Sequence, residues 1–293
     1  MRQFLILAVL GLVISLQSCR LDNFLFNPAE TEEYLLEDFP DDKQLFVLEE
    51  EYDIDPSRID LMTLASGDET IYAVYLGDKA RITQDTVILY CHGNAGHLDW
   101  YWERAKLLAN AGGKNRFGVL MMDYRGYGKS TGASTEDGMY EDVDVCMQWL
   151  KSMGLSDDRL VVYGFSLGGA PSTKLTANPR AMQPSKVILE APFASFDFVA
   201  QQITKVSMAG SFYGNLEINN AEEIKLVEEP LLWMHGIDDA FTAIENGDLI
   251  AANYQGTHLV KRRVPNGEHS TVPSVMGLDI YMDLIADFIT GAI

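Results

Sequence analysis

The chain is poor in cysteine and in basic side chains. It has 293 residues with three cysteines, and 22 lysines and arginines stand against 43 aspartates and glutamates, for a formal net charge of −21. So few cysteines exclude a scaffold built on disulfides. An acidic surface repels phosphate backbones, so we expect no nucleic-acid partner. Hydrophobic residues make up 47% of the chain, which is enough for one large core and one main domain.

The sequence also lacks a long apolar run at its N-terminus. Arg2 is followed by an uncharged apolar run of 13 residues from Phe4 to Leu16, and then by small or polar residues up to Cys19. This order is typical of a secretory signal peptide. The run is shorter than the roughly 20 residues that a transmembrane helix needs, so a permanent span is the weaker interpretation.

The residues LQSC, which end at Cys19, resemble the lipobox of bacterial lipoproteins, although Gln17 stands where a smaller residue is usual. The resemblance implies a signal peptide over residues 1–18 and a diacylglyceryl group on Cys19. An ordinary signal peptide followed by a chance cysteine is the alternative. We expect a protein of the bacterial cell envelope, anchored by lipid to the inner or outer membrane, with its main domain outside the cytoplasm.

The lipid would have to provide that attachment, because the protein itself is acidic. Removing residues 1–18 takes away only the charge of Arg2, which leaves a mature chain near −22. Between Pro28 and Asp55 the only basic residue is Lys43. We expect residues 19–44 to be a solvated acidic tether and lead-in. The carboxylates lack the D-x-D-x-D-G spacing of a calcium loop.

From residue 45 to 293 strand-like and helix-like segments alternate. Two β-rich runs flank Ser66-Gly67-Asp68, which predicts a hairpin. Continuous apolar runs follow, separated mostly by segments of helical length: TVILYCHG, FGVLMMDYRG, RLVVYGFS, SKVILEAPF, PLLWMHG and HLVKRRVP. This pattern predicts an α/β fold with a mostly parallel central sheet and helices on both faces. Ligands bind such sheets at the carboxyl ends of the strands.

The stretch GFSLGG places Ser166 where the run RLVVYGF ends and a helical segment begins. A strand that turns at once into a helix strains its turn residue and leaves little room for neighbours, which Gly164, Gly168 and Gly169 provide. The spacing G-x-S-x-G is that of a nucleophile elbow, with the serine near a helix N-terminus that can stabilise negative charge. A glycine-rich helix start without chemistry is the alternative.

The motifs HGNAG, DYRGYGKS, GFSLGG and HGIDD and a final His269, in this order, resemble the α/β-hydrolase superfamily. Within it the chain is most similar to small serine hydrolases with reduced caps, a group of esterases and lipid-anchor thioesterases. The resemblance covers about residues 45–293, with a short cap over about residues 191–229. Its motifs taken together are far more specific than any one of them.

The resemblance implies a role for each motif residue. Ser166 is the nucleophile, and the N–H groups of Leu167 and Asn94 form the oxyanion hole. The pattern H-G-x-x-D places the acid on Asp239, with Asp238 as the alternative. For the base, the order Ser, Asp, His leaves His258 and His269. His258 opens the last strand, away from the carboxyl ends, so His269 is the predicted base.

Other motif residues carry weaker signals. The glycines of DYRGYGKS are expected to shape a loop beside the pocket. Aromatic residues of the cap can line an acyl groove or pack on the core, and they are Phe193, Phe196, Phe198, Phe212 and Tyr213. His92 with His97, or His235 with the paired aspartates, lacks the spacing of known metal sites, so we predict no metal and no cofactor. Cys91 and Cys146 are expected to be buried free thiols.

We therefore predict a serine hydrolase of acyl esters, with a small-molecule or lipid-like substrate and a lipid-anchored attachment to a membrane. An acyl-thioesterase or a peptidase of the same fold is the first alternative. A non-catalytic lipoprotein that uses the fold as a binding module is the second, because fold alone does not determine function.

Overall fold

The computed structural model of the chain describes residues 25–204 and 216–293. The predicted signal peptide, the predicted lipidation site Cys19 and the aromatic residues Phe212 and Tyr213 lie outside the described residues. Where the structure describes the chain, no helix has both the length and the apolar composition of a membrane span.

The described chain contains ten strands, most of them short and apolar. Their bounds are β1 (Asn27–Pro28), β2 (Ile59–Ser66), β3 (Glu69–Leu76), β4 (Val87–Cys91), β5 (Ala95–Gly96), β6 (Gly118–Met122), β7 (Leu160–Phe165), β8 (Lys186–Glu190), β9 (Leu231–Gly236) and β10 (Leu259–Val264). Eight of them form one sheet in the order β10-β9-β8-β7-β4-β6-β3-β2, while β1 pairs with β5 alone.

The sheet is mostly parallel. Strands β10, β9, β8, β7, β4 and β6 pair in parallel. Strand β3 is antiparallel to both β6 and β2, and β2 and β3 form the predicted hairpin. Because neighbouring parallel strands end at one edge, the loops after β4, β7, β9 and β10 meet there.

Helices connect the strands, as the alternating pattern predicts. Their bounds are α1 (Trp102–Asn110), α2 (Glu136–Ser152), α3 (Gly169–Ala177), α4 (Phe196–Thr204), α5 (Asn220–Glu223), α6 (Glu245–Asn253), α7 (Val272–Met276) and α8 (Leu278–Thr290). Short 3-10 turns lie at Leu36–Asp38, Asp41–Lys43, Glu50–Tyr52, Pro56–Arg58, Lys79–Arg81, Leu98–Tyr101, Asp157–Arg159, Ser166–Gly168 and Ile224–Leu226.

The sheet has a hydrophobic core on each face, which explains the continuous apolar runs. In β4 all five residues are buried, and they alternate between the two cores. Leu89 packs in the core that includes residues of α2 and α3, whereas Ile88 and Tyr90 pack in the core that includes residues of α1 and α8. A strand buried on both faces needs apolar side chains at every position. The predicted fold class is confirmed.

The acidic N-terminal segment differs from the expectation of a solvated tether. Leu25 and Phe26 are buried, with 5% and 7% of their surface exposed. The carboxylate of Asp99 accepts hydrogen bonds from the backbone N–H groups of Leu35 and Leu36. Phe39 of this segment is also buried, as are Leu48 and Ile54, which follow it in the sequence. The large number of acidic residues did not reveal that the segment packs on the main domain. A few buried apolar side chains among many acids are enough to hold it there.

The structure describes part of the region in which the sequence predicts a cap, and both cysteines that follow Cys19. Between β8 and β9 the described part of the cap consists of α4, α5 and the turn Ile224–Leu226. Phe196 packs in a core cluster, and Phe198 is half-buried. Cys91 and Cys146 are free thiols, and both are buried in the core next to α2.

Candidate active site

The site begins at Ser166, between β7 and α3. All six residues of β7 are buried, and the chain turns at Ser166 into a 3-10 turn that leads to the helix. Ser166 has a φ of 52°, in the left-handed region that L-residues avoid at a cost of roughly 1–2 kcal/mol. The strain fixes the hydroxyl at the carboxyl edge of the sheet.

The two elbow glycines are required by close backbone contacts. A Cβ added to Gly164 would lie 2.5 Å from the carbonyl oxygen of Gly168. A Cβ added to Gly168 would lie 1.9 Å from the carbonyl oxygen of Cys91, at the end of β4. No larger residue fits at either position without a backbone shift, because such contacts are far inside van der Waals distance.

A chain of hydrogen bonds joins Ser166 to the two other residues that the resemblance implied. His269 Nε2 lies 2.9 Å from Ser166 Oγ, and His269 Nδ1 lies 2.8 Å from Asp239 Oδ2. A carboxylate can only accept, so Nδ1 carries the proton and Nε2 is left to accept the serine proton. Asp239 follows β9 and His269 follows β10, so the topology brings all three residues to one edge.

The structure also separates the alternatives that the sequence left open. Asp238 is exposed, and its backbone N–H donates to the carbonyl of Gly267. His258 lies at the opposite end of β10, where its Nε2 is 3.0 Å from the carbonyl oxygen of Ile293. Of these candidates, His269 contacts Ser166 and Asp239 contacts His269.

The carboxylate of Asp239 is held by four hydrogen-bond partners. Its Oδ1 accepts from the backbone N–H groups of Phe241 and Thr242. Its Oδ2 faces His269 Nδ1 and also His235 Nε2, which lies 3.3 Å away. Burial by itself raises the pKa of the Asp239 carboxyl, but the hydrogen bonds from both histidines and the Thr242 N–H keep it well below its usual range. The acid therefore stays ionised.

The loop after β4 is held by the DYRGYGKS motif. Tyr124 donates its hydroxyl hydrogen to the carbonyl of His92, and Tyr127 donates to the carbonyl of Asn94. The tyrosines of the motif, which carried no separate sequence prediction, thus position the loop that contains Asn94. Asn94 and Leu167 line the same cavity as Ser166.

That cavity is small and mostly apolar. Its volume is about 10 Å³, close to the space of a single water molecule. It is lined by Leu25, Asn94, Ser166, Leu167, Phe193, Val199, Phe241 and Thr242. Leu25 comes from the N-terminal segment, which the sequence had placed in solvent, and the only signal for it was a short apolar run before Asn27.

Sequence reasoning also missed a buried ion pair behind His269. Arg104 on α1 donates to both carboxylate oxygens of Glu190, at 2.7 and 2.6 Å, and neither side chain is exposed. Arg104 also donates to the carbonyl of Ser270, next to the histidine, and lies 4.6 Å from the centre of the Phe165 ring. The pair therefore connects α1, β7 and β8 to the loop that carries His269.

Among the described residues no group of three or more His, Cys, Asp or Glu side chains is placed to hold a metal ion. His92 Nε2 lies 3.4 Å from Asp123 Oδ1. His235 Nε2 contacts the carbonyl oxygen of Thr242 and the carboxylate of Asp239.

A sheet of this order, with a strained serine after β7, an acid after β9 and a histidine after β10, defines an α/β-hydrolase fold. The sequence agrees, since residues 86–205 match the family model described as alpha/beta hydrolase fold. The chain therefore has the α/β-hydrolase fold, and over residues 86–205 it is similar to the proteins of that superfamily.

Similar proteins include both curated sequences and solved structures. The uncharacterized protein YfhR of Escherichia coli K12 is 29% identical over 212 residues, which is 70% of each chain. Lysophosphatidylserine lipase ABHD12 of Macaca fascicularis is 30% identical over 186 residues, 58% of this chain and 46% of the lipase. The Pyrococcus furiosus esterase Pf2001 has a TM-score of 0.66 at 14% identity, over 91% of this chain and 98% of the esterase, and this likeness concerns the fold alone.

Proposed function

We propose that this protein is a serine hydrolase that cleaves acyl esters through an acyl-enzyme intermediate. The observation that carries the proposal is the hydrogen-bond chain from Ser166 through His269 to Asp239, which ends on a strained serine in an apolar cavity. A binding module has no need for a serine that is held in a strained backbone conformation and hydrogen-bonded to a histidine.

Acylation follows from the geometry. Ser166 Oγ attacks the carbonyl carbon of the ester while its proton moves to His269 Nε2. The negative charge that develops on the carbonyl oxygen is stabilised by the N–H groups of Leu167 and Asn94, and the ionised Asp239 stabilises the imidazolium. The carbon–oxygen bond to the leaving alcohol then breaks, and the alcohol takes the proton from His269.

Deacylation repeats these steps with water. A water molecule gives a proton to His269 Nε2 and attacks the carbonyl carbon of the acyl-enzyme. The bond between that carbon and Ser166 Oγ breaks, the serine regains its proton from the histidine, and the carboxylic acid leaves. No metal or cofactor enters this sequence of steps.

The proposed substrate is a small-molecule or lipid-like acyl ester. Four apolar side chains around Ser166 favour the acyl part of such a substrate: Leu25, Phe193, Val199 and Phe241. A relative named as a lysophosphatidylserine lipase is consistent with this class. The proposed location is the bacterial cell envelope, outside the cytoplasm, with a diacylglyceryl group on Cys19 holding the protein at a membrane.

The test is the initial rate of hydrolysis of p-nitrophenyl acetate and butyrate by the full-length protein in detergent. We expect Ser166→Ala to reduce kcat by at least about 10⁴-fold, because the nucleophile is lost. Ser274→Ala is the matched control, since Ser274 is exposed and its hydroxyl donates to the carbonyl of Thr271. Its rate should equal that of the wild type.

A fluorophosphonate probe gives a second readout that does not depend on the ester chosen. It should label the wild type and the Ser274→Ala control at Ser166, and leave Ser166→Ala unlabelled. Labelling without ester hydrolysis would turn the proposal toward thioesters or peptides. Neither labelling nor hydrolysis would favour the binding lipoprotein.

A further inference from the structure

The first described residues of the chain lie between two loops of the active site. The backbone N–H groups of Asn27 and Ala29 donate to the carbonyls of Asn94 and Gly96, in the loop after β4, at 3.0 and 3.3 Å. On its other side the segment is bonded to the loop after β6, where the N–H of Gly128 donates to Ala29 at 2.8 Å.

A further contact fixes the segment beyond these backbone bonds. The hydroxyl of Tyr34 donates to Asp123 at 2.6 Å and accepts from the backbone N–H of Lys129 at 2.9 Å. The segment is therefore joined to the same two motifs, HGNAG and DYRGYGKS, that build the loop with Asn94. Several hydrogen bonds along one short segment favour a single position of the backbone.

Leu25, at the start of this segment, is placed in the cavity that contains Ser166. It is 5% exposed, and it packs in the same core cluster as Phe193 and Val199 of the cap region. The cavity holds about 10 Å³, the space of about one water molecule, so these side chains leave little room for an acyl chain beside Ser166. Among the described residues that line the cavity, Leu25 is the one from the N-terminal segment.

We propose that Leu25 limits the length of the acyl group, so that the enzyme accepts short acyl groups, from acetyl to butyryl. This inference rests on the proposed function, because it names the substrate class of the same site. It gives the N-terminal segment a role in specificity. The N-terminal segment forms one side of the pocket, and its hydrogen bonds to the loops after β4 and β6 hold it in that position.

The expected effect of a smaller side chain follows from the volume it frees. Leu25→Ala removes three carbon atoms from the cavity, a methine and two methyl groups, and a longer acyl chain can fill the space that they leave. Each additional buried methylene changes kcat/KM by about fourfold. The ratio of kcat/KM for hexanoate to that for acetate should rise at least about tenfold in Leu25→Ala relative to the wild type.

The test is a profile of kcat/KM for p-nitrophenyl esters from acetate to octanoate, measured on the full-length protein in detergent. The wild type should be fastest between acetate and butyrate, and Leu25→Ala should be fastest near hexanoate. Leu25→Phe should lower the rate on butyrate relative to acetate. Leu25→Met, which conserves volume, should keep the wild-type profile and shows that the position tolerates substitution.

Leu35→Ala is the matched control on the same segment, because the Leu35 side chain is 42% exposed and it should leave the profile unchanged. A wild-type maximum at octanoate would overturn the inference, as would an equal loss of rate on all esters in Leu25→Ala. Failure of the proposed function is a separate result: hydrolysis would then persist in Ser166→Ala, whatever the profile of the Leu25 variants.

Discussion

Replacing Asp239 by asparagine tests whether the buried carboxylate sets the protonation state of His269. Its Oδ1 accepts two backbone hydrogen bonds, from Phe241 and Thr242. In the variant the amide oxygen must therefore occupy the Oδ1 position, because an NH2 group there would face two donors. The NH2 group is then placed where Oδ2 was, 2.8 Å from His269 Nδ1.

A donor at that position forces His269 into the wrong tautomer. Nδ1 must accept, so the imidazole proton moves to Nε2, which lies 2.9 Å from Ser166 Oγ and can no longer take the serine proton. The imidazolium also loses its counter-charge. Together these effects reduce kcat by about 10⁴-fold, or about 5 kcal/mol of transition-state stabilisation, at an almost unchanged KM.

The assay is steady-state hydrolysis of p-nitrophenyl acetate, with Asp238→Asn as the matched control. Asp238 is the exposed neighbour of the same residue type, and its substitution should change kcat by less than about twofold. His235 keeps its contact with the carbonyl of Thr242 in Asp239→Asn, so the variant should fold. A kcat within tenfold of the wild type would refute the argument that Asp239 orients the base.

Two further predictions concern stability and attachment. Arg104→Met leaves Glu190 buried without its counter-charge, so it should lower the free energy of unfolding by about 3–5 kcal/mol in urea titrations. The double variant Arg104→Met/Glu190→Gln should recover part of this loss. Equal stability of the wild type and Arg104→Met would contradict the prediction. Cys19→Ala should move the protein from the membrane to the soluble fraction of cells, and mass spectrometry of the wild type should find a diacylglyceryl cysteine at the N-terminus; an unmodified Cys19 in a mature wild-type chain would rule the anchor out.

The sheet was predictable because a strand that is buried on both faces must be apolar throughout. In β4 and β7 every residue is buried, and the same runs stand out in the sequence as short continuous apolar stretches. The turn at Ser166 was predictable for a related reason, since only glycine fits at Gly164 and Gly168. Both patterns involve residues that are close together along the chain, so they can be recognised in the sequence alone.

The choice between two neighbouring candidates for the acid needed the tertiary structure. Asp238 and Asp239 are adjacent acids, and the family pattern favoured Asp239 without showing a contact. The choice depends on the direction in which each side chain leaves the loop after β9. The structure buries one and exposes the other, because the N–H groups of Phe241 and Thr242 offer partners to a single carboxylate.

The sequence by itself determined the order of strands and helices, the glycine-bounded serine and the residue types that could serve it. These depend on periodicity and on steric limits within a few residues. Tertiary structure alone decided that Leu25 enters the cavity of Ser166 and that Arg104 meets Glu190 beneath His269. Such contacts join residues up to 141 positions apart, between Leu25 and Ser166, and their energy comes from burial and complementary charge. Neither the burial nor the charge pairing exists until the chain folds.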